Sequence, residues 1–117
     1  VEFSDASIVA NLRADDTAQI RFSGGHIGND ILAGELATDS STITFMGSNF
    51  KINGNSVAYG QYFRTDFESG HLSGILANGD IVDNEFYIVG NSSIILVPEP
   101  TTLLLLGMGG LLIRKRK

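Results

Sequence analysis

Histidine, cysteine and carboxylate side chains carry most catalysis and metal binding, and this chain offers few of them. It has two histidines, His26 and His71, and no cysteine. Neither histidine has a second histidine at the spacing of a zinc site, and thiolate ligands and cysteine nucleophiles are excluded. No serine lies in a Gly-x-Ser-x-Gly segment, the hallmark of many hydrolases. We therefore predict no metal site, no cofactor and no enzymatic activity.

The acidic residues lie mostly in segments that we interpret as solvated turns. The prominent ones are Asp15, Asp16, Asp80, Asp83 and Glu85. A glycosidase with paired carboxylates stays open as an alternative, although nothing singles out the pair. The clustered aromatic residues that could line a carbohydrate cleft are Tyr59, Tyr62 and Phe63.

Two segments resemble known ligand-binding repeats in part. Residues 24–32, GGHIGNDIL, resemble the glycine-aspartate repeat of calcium-binding β-rolls, but the glycine spacing differs and residues 47–51 do not repeat it. We expect a turn that requires glycine there. Thr42-Ile43-Thr44 resembles the threonine pairs of ice-binding solenoids, but the aligned segment is Gln19-Ile20-Arg21. We expect ordinary solvent-facing threonines in a strand.

The charges are unevenly distributed along the chain. Residues 1–97 contain twelve of the thirteen acids and four of the eight bases, whereas the last four residues are all basic. A strongly acidic body repels nucleic acid phosphates. Nucleic acid is therefore excluded as a partner.

Residues 8–27 and 31–50 align with each other at an offset of 23 residues. Such self-similarity is typical of repeat architectures, in which each copy adds to one continuous core. The identical pairs are Ile8/Ile31, Ala10/Ala33, Ala14/Ala37, Asp16/Asp39, Ile20/Ile43, Phe22/Phe45 and Gly24/Gly47.

Apolar and polar residues alternate at 18–22 and 41–45, which is typical of half-buried strands. Short strands within a unit of about 23 residues predict an all-β fold built from parallel β-solenoid coils. The offset then stacks Ile20 on Ile43 and Phe22 on Phe45. We expect turns at residues 14–16, 24–25, 38–40 and 47–48.

The second half of the body contains hairpin signals. Asn53-Gly54, Asn78-Gly79 and Gly90-Asn91 separate apolar stretches, and such pairs favour tight β-turns. They predict a β-hairpin cap over residues 53–97, with strands at 72–77, 81–89 and 93–97, after solenoid coils over residues 1–52. Because Val1-Glu2-Phe3 enters a coil midway, we expect further coils and a signal peptide upstream in a longer protein.

The last 20 residues differ from everything before them. The predicted membrane segment consists of Leu103, Leu104, Leu105, Leu106, Gly107, Met108, Gly109, Gly110, Leu111, Leu112 and Ile113. It corresponds to about 16 Å of helix, short of the roughly 20 residues that usually cross a bilayer. The bases Arg114, Lys115, Arg116 and Lys117 can extend the span by snorkelling and favour the cytoplasmic side. We predict a short C-terminal transmembrane helix with the body outside the inner membrane.

Val97, Pro98, Glu99, Pro100 and Thr101, followed by this apolar segment and basic cluster, resemble the PEP-CTERM sorting signal of envelope bacteria over residues 98–117. The resemblance implies export, transient anchoring in the inner membrane, and processing near the motif by an exosortase. It also implies an association with exopolysaccharide and biofilm, and similar tails occur on some ice-binding proteins.

The combined prediction is an exported, non-enzymatic protein of the cell surface or extracellular matrix. Its expected partners are the membrane, an exosortase and exopolysaccharide. A polysaccharide-binding or carbohydrate-active β-helix protein is the alternative, and an ice-binding adhesin ranks third.

Overall fold

The computed structural model describes residues 1–4, 6–8 and 10–98, and the regular structure in these ranges is entirely β. In them, no helix is long and apolar enough to cross a membrane. The predicted membrane segment, residues 103–113, and the basic cluster, residues 114–117, lie outside the described residues. The strands are β1 (Glu2–Phe3), β2 (Ala6–Ile8), β3 (Leu12–Ala14), β4 (Gln19–Phe22), β5 (Gly25–Ile27), β6 (Ile31–Ala33), β7 (Thr42–Ile52), β8 (Asn55–Ser56), β9 (Gly60–Phe63), β10 (Ser69–Leu76), β11 (Ile81–Ile88) and β12 (Ser93–Pro98).

The predicted pairing between the two repeats is confirmed where the alternation is clearest. β4 and β7 are parallel, with Ile20 beside Ile43 and Phe22 beside Phe45. All four side chains are buried. The rings of Phe22 and Phe45 have centroids 5.9 Å apart. The 23-residue offset therefore describes this pair of strands.

The other parallel pairs follow an offset of 19 residues. Phe3 lies beside Phe22, Ile8 beside Ile27 and Leu12 beside Ile31. The predicted equivalence of Ile8 and Ile31 is therefore wrong. The reason is a difference in loop length: residues 15–18 join β3 to β4, whereas residues 34–41 join β6 to β7. The four additional residues lengthen the repeat only at that point.

The long strand β7 changes partners halfway along its length. Its first half pairs with β4 and β12, both parallel, and its second half pairs with β10, antiparallel. The register with β10 shifts between Ser73 and Ile75, and Asn49 has a φ of 54°. An extra residue of this kind is a β-bulge, which bends a strand and increases its twist. The predicted turn at residues 47–48 is wrong, because these residues continue β7 into the bulge.

The sheet closes through the hairpin of β10 and β11. β11 is antiparallel to β10 and parallel to β6. Among the described residues, ten strands form one mixed sheet, and β2 pairs with β5 separately. Since β4 and β6 follow one another in the chain, the path β4–β7–β10–β11–β6 curls around a common core.

Two of the three predicted turns join paired strands. Asn53 and Gly54 have φ values of 53° and 82° and connect β7 to its partner β8, as in a type I′ turn. Asn78-Gly79 lies in the β10–β11 hairpin. Gly90-Asn91 is wrong as a hairpin, because it leads from β11 to β12, which crosses over to pair with β7 and β9. The crossover places a third parallel strand on the β4–β7 face.

The core lies inside the curled sheet. Rows of residues at matching positions in adjacent strands fill it, with Ile20, Ile43 and Ile94 in one row. The largest fully buried apolar side chains are Phe22, Phe45, Phe86, Ile31, Ile43, Leu72, Leu76, Ile88, Leu96 and Val82. Burying one such side chain contributes about 1.5–3 kcal/mol.

Candidate functional site

The predicted sorting motif begins inside the folded body. Val97 and Pro98 are the last two residues of β12. Glu99, Pro100 and Thr101, which complete the predicted motif, lie outside the described residues. The body and the motif therefore share a strand.

β12 is held on both edges over most of its length. Residues 93–98 pair with β7, and residues 93–96 also pair with β9. On its inner face Ile94 is 2% exposed and Leu96 is fully buried. The alternation of Ile94 and Leu96 with Ile95 and Val97 is the pattern that predicted this strand.

A pair of buried serines holds the start of β12. The Ser41 hydroxyl donates to the carbonyl oxygen of Ala14 at 2.6 Å and lies 2.9 Å from the Ser92 hydroxyl. The Ser41 backbone N–H donates to the Ser92 hydroxyl at 3.1 Å. Buried hydroxyls are costly unless they are bonded in this way. Ser92 went unnoticed in the sequence because a serine beside Gly90-Asn91 is typical of an exposed loop.

The outer face beside β12 is shallow and mixed in character. Gln19, Arg21, Thr42, Thr44, Ile95 and Val97 line a depression of about 420 Å³. Thr42 lies beside Gln19 and Thr44 beside Arg21, as the alignment predicted. The threonine pair therefore does not continue onto β4.

A second polar cluster, which sequence reasoning did not assemble, lies on the β10–β11 hairpin. The two ring nitrogens of His71 contact different carboxylates, Nδ1 with Glu85 Oε1 at 2.9 Å and Nε2 with Asp83 Oδ1. Hydrogen bonds to Asp83 and then Glu85 raise the pKa of His71. We call these three residues the His71 cluster. The hairpin register, centred near Asn78-Gly79, was the signal that could have placed His71 opposite Glu85.

The His71 cluster is a poor geometry for a cation, because its two carboxylates engage opposite ring nitrogens. In the part of the chain that the structure describes, no group of three or more His, Cys, Asp or Glu side chains is arranged to hold a metal ion. The arrangement suits a cross-strand ion pair on an exposed face.

The glycine-rich segment that resembles a calcium repeat has a structural role in this fold. A Cβ on Gly24 would lie 2.1 Å from the carbonyl oxygen of Ser4, so only glycine permits this approach. The Gly25 N–H donates to Asp80 Oδ2 at 2.8 Å, and the Asn78 side chain donates to the same oxygen. His26, in the middle of β5, is exposed. The segment docks the β10–β11 turn onto β5.

The aromatic residues expected to cluster pack on different partners. Tyr62 is tilted against Phe67, with ring centroids 5.9 Å apart, while Tyr59 contacts Phe50 edge-on. Phe63 is 43% exposed at the end of β9. These side chains do not line a common cleft.

A larger groove lies at the far end of β11. It has a volume of about 640 Å³ and contains Tyr87, Arg64, Glu68 and Asn91 on its walls. Tyr87 is 43% exposed, and Arg64 Nη2 lies 2.8 Å from Glu68 Oε1. An open groove with one aromatic face and charged hydrogen-bonding groups can take a polar ligand.

Comparison with known proteins identifies the C-terminal end. No curated protein and no solved structure matches the chain. The family model of the PEP-CTERM protein-sorting motif matches residues 96–117. The chain therefore carries a PEP-CTERM protein-sorting motif, whose first three residues, Leu96, Val97 and Pro98, are the end of β12.

Proposed function

We propose that this chain is an exported protein of the cell surface or extracellular matrix that an exosortase sorts through its C-terminal motif. The observation that carries the proposal is the match of residues 96–117 to the PEP-CTERM motif. Residues 103–113 would anchor the chain in the inner membrane, with the bases of residues 114–117 in the cytoplasm. The anchor is transient, and the body is released after processing.

We further propose a structural, non-enzymatic role for the body, linked to exopolysaccharide and biofilm. Parallel strands at matching positions, β1 on β4, β2 on β5 and β3 on β6, support an interpretation of residues 1–52 as β-solenoid coils capped by residues 53–97. The polar clusters on the body support a scaffold, since His71 and Asp80 are engaged in hydrogen bonds within the fold.

The sorting role is tested with a change that leaves β12 intact. Replacing Glu99 and Pro100 by alanine should retain the full-length chain in the inner membrane fraction, because the processing enzyme loses its recognition sequence. Arg64→Ala, on the exposed surface of the body, serves as the control and should be released normally. Release of the doubly substituted chain at the wild-type level would rule out the sorting role.

The link to exopolysaccharide is tested by fractionating a biofilm of the producing cells. The released body should remain with the polysaccharide matrix after washing and should come free when that polysaccharide is digested. Recovery of the body in the medium, in amounts that do not depend on the polysaccharide, would contradict the link.

A second candidate function is direct polysaccharide binding in the groove beside Tyr87. The observation that favours it is the exposed phenol ring next to the Arg64–Glu68 ion pair and Asn91, because sugars present apolar faces and hydroxyl groups together. Tyr87→Ala should abolish binding on a glycan array, whereas Tyr59→Ala, equally exposed but outside the groove, should not. A blank array with the wild-type chain would dispose of this candidate.

A further inference from the structure

We infer that the folded body itself sets the N-terminal limit of processing: the bond that the processing enzyme breaks lies C-terminal to Val97, at or beyond Pro98. The inference rests on the proposed sorting function and adds a constraint on the site of cleavage. It follows from the contacts of β12, one edge and one face at a time.

The backbone of β12 is already occupied. Peptides are commonly bound as extended strands that pair with an exposed edge of the enzyme that receives them. Residues 93–96 have β7 on one edge and β9 on the other. An enzyme can bind this segment as a strand only after β12 has left both neighbours.

The inner face of β12 adds a second barrier. Ile94 lies in the core row with Ile43, and Leu96 lies beside Phe45. Both side chains are almost completely buried. Withdrawing β12 would therefore open the core between β7 and β9, and such openings are rare in proportion to the stability that they forfeit.

The protection weakens towards Pro98. β9 ends its pairing at Gly60, opposite Leu96, so Val97 and Pro98 keep only Met46 and Gly47 of β7 as partners. Pro98 has no N–H with which to donate to a ladder, and proline is confined to the ends and edges of sheets. The chain thus passes from two-sided pairing to one-sided pairing within the sorting motif itself.

A consequence is that the released body keeps its complete set of strands. A cut before Leu96 would remove a core side chain together with the partner of β9. A cut at or beyond Pro98 leaves β12 entire. Sorting then needs no unfolding of the body, and a misfolded body with β12 undocked would be cut at the wrong place.

The first test is the mass of the released product from cells with and without the exosortase. The expected product appears only with the enzyme and ends at Pro98 or a later residue. A main product ending within residues 93–97 would overturn the inference and leave the sorting function standing. If the two strains give the same products, the sorting function fails and the inference fails with it.

The second test uses the purified full-length chain in detergent and the broad-specificity protease proteinase K. Wild-type fragments should retain residues 93–98, since docking of β12 protects them. Ile94→Ser, on the buried face, should expose cleavage within these residues, whereas Ile95→Ser, on the outer face, should not. Equal cleavage of the two variants within residues 93–98 would overturn the inference.

Because Ile94→Ser can unfold the whole body, Leu96→Val provides a milder change. Loss of one buried methylene should speed cleavage within residues 93–98 roughly two- to tenfold. Circular dichroism establishes that the variant is folded. A folded Leu96→Val chain with the wild-type cleavage rate would also refute protection by docking.

Discussion

Phe45→Ala is the most informative perturbation of the body. Phe45 is fully buried on β7, with β4 on one edge of that strand and β12 on the other. Its ring lies 5.9 Å from that of Phe22, which lies 5.9 Å from that of Phe3. Removing it therefore leaves a hole in the middle of a row of aromatic rings.

The expected loss can be estimated from the burial of Phe45. Truncating a buried phenylalanine to alanine costs about 3–5 kcal/mol, and about 0.5–1.5 kcal/mol of this reflects ring pairing with Phe22. The whole free energy of unfolding of a domain of this size is about 5–15 kcal/mol. At about 4–8 °C per kcal/mol, the melting temperature should fall by at least about 12 °C.

The assay is a pair of urea denaturation curves on a chain ending at Pro98, which keeps every described strand. The control is Arg21→Ala on the outer face of β4, where the guanidinium lies 3.4 Å from the Met46 sulfur. That change should cost within about 0.5 kcal/mol. Equal shifts for the two variants would refute the inward orientation of Phe45 and the register of β4 on β7.

Three further predictions concern close packing and charge. Gly47→Ala should lower the free energy of unfolding by about 1–3 kcal/mol or more, measured by urea denaturation, because its Cβ would lie 2.0 Å from the Ile75 carbonyl oxygen; wild-type stability would contradict this contact. His71 has a raised pKa, so its contribution is complete below its ordinary value of 6.5 and is lost as pH rises through the folded pKa. His71→Gln should therefore flatten the denaturation midpoint across that range, and an unchanged pH profile would count against the cluster. Asp39 has a pKa lowered by the backbone N–H groups of Leu36 and its neighbour, so its contribution is present above 3.8 and lost as pH falls through the folded pKa; Asp39→Asn should remove that part of the acid transition, and an identical acid titration would refute it.

The strands that could be predicted are those with a strong local pattern. The alternation around Ile20 and Ile43 specified both the strands and the inward face, since a shift of one residue would have exposed every apolar side chain. Asn53-Gly54 specified its turn because few other residues accept two successive positive φ values. In both cases the information lies within a few consecutive residues.

The features that could not be predicted depend on contacts between distant parts of the chain. The change of offset from 19 to 23 arises from a loop, residues 34–41, and loop lengths do not disturb the alternation of the strands on either side. That loop is held by Asp39, which is 3% exposed and accepts hydrogen bonds from the backbone of Glu35 and Leu36. Its matched partner in the first repeat, Asp16, lies in a four-residue connection with no room for such a turn.

The candidate sites divide in the same way. The sorting motif was readable because it is a contiguous sequence, and its match covers residues 96–117. The His71 cluster required the register of a hairpin, which brings together residues 12 and 14 positions apart. Individually exposed acids such as Asp83 carry no sign of their partner.

The meeting of fold and motif at Pro98 belongs to neither kind of information alone. The motif by itself does not specify what precedes Leu96, and the strand pattern by itself does not specify that processing follows. Together they place a recognition sequence directly after a strand with two hydrogen-bonded neighbours and a buried face. A body folded in this way presents a fixed end to its processing enzyme. Correct folding of β12 is then a condition for correct release, and stability changes such as Phe45→Ala should alter processing as well as unfolding.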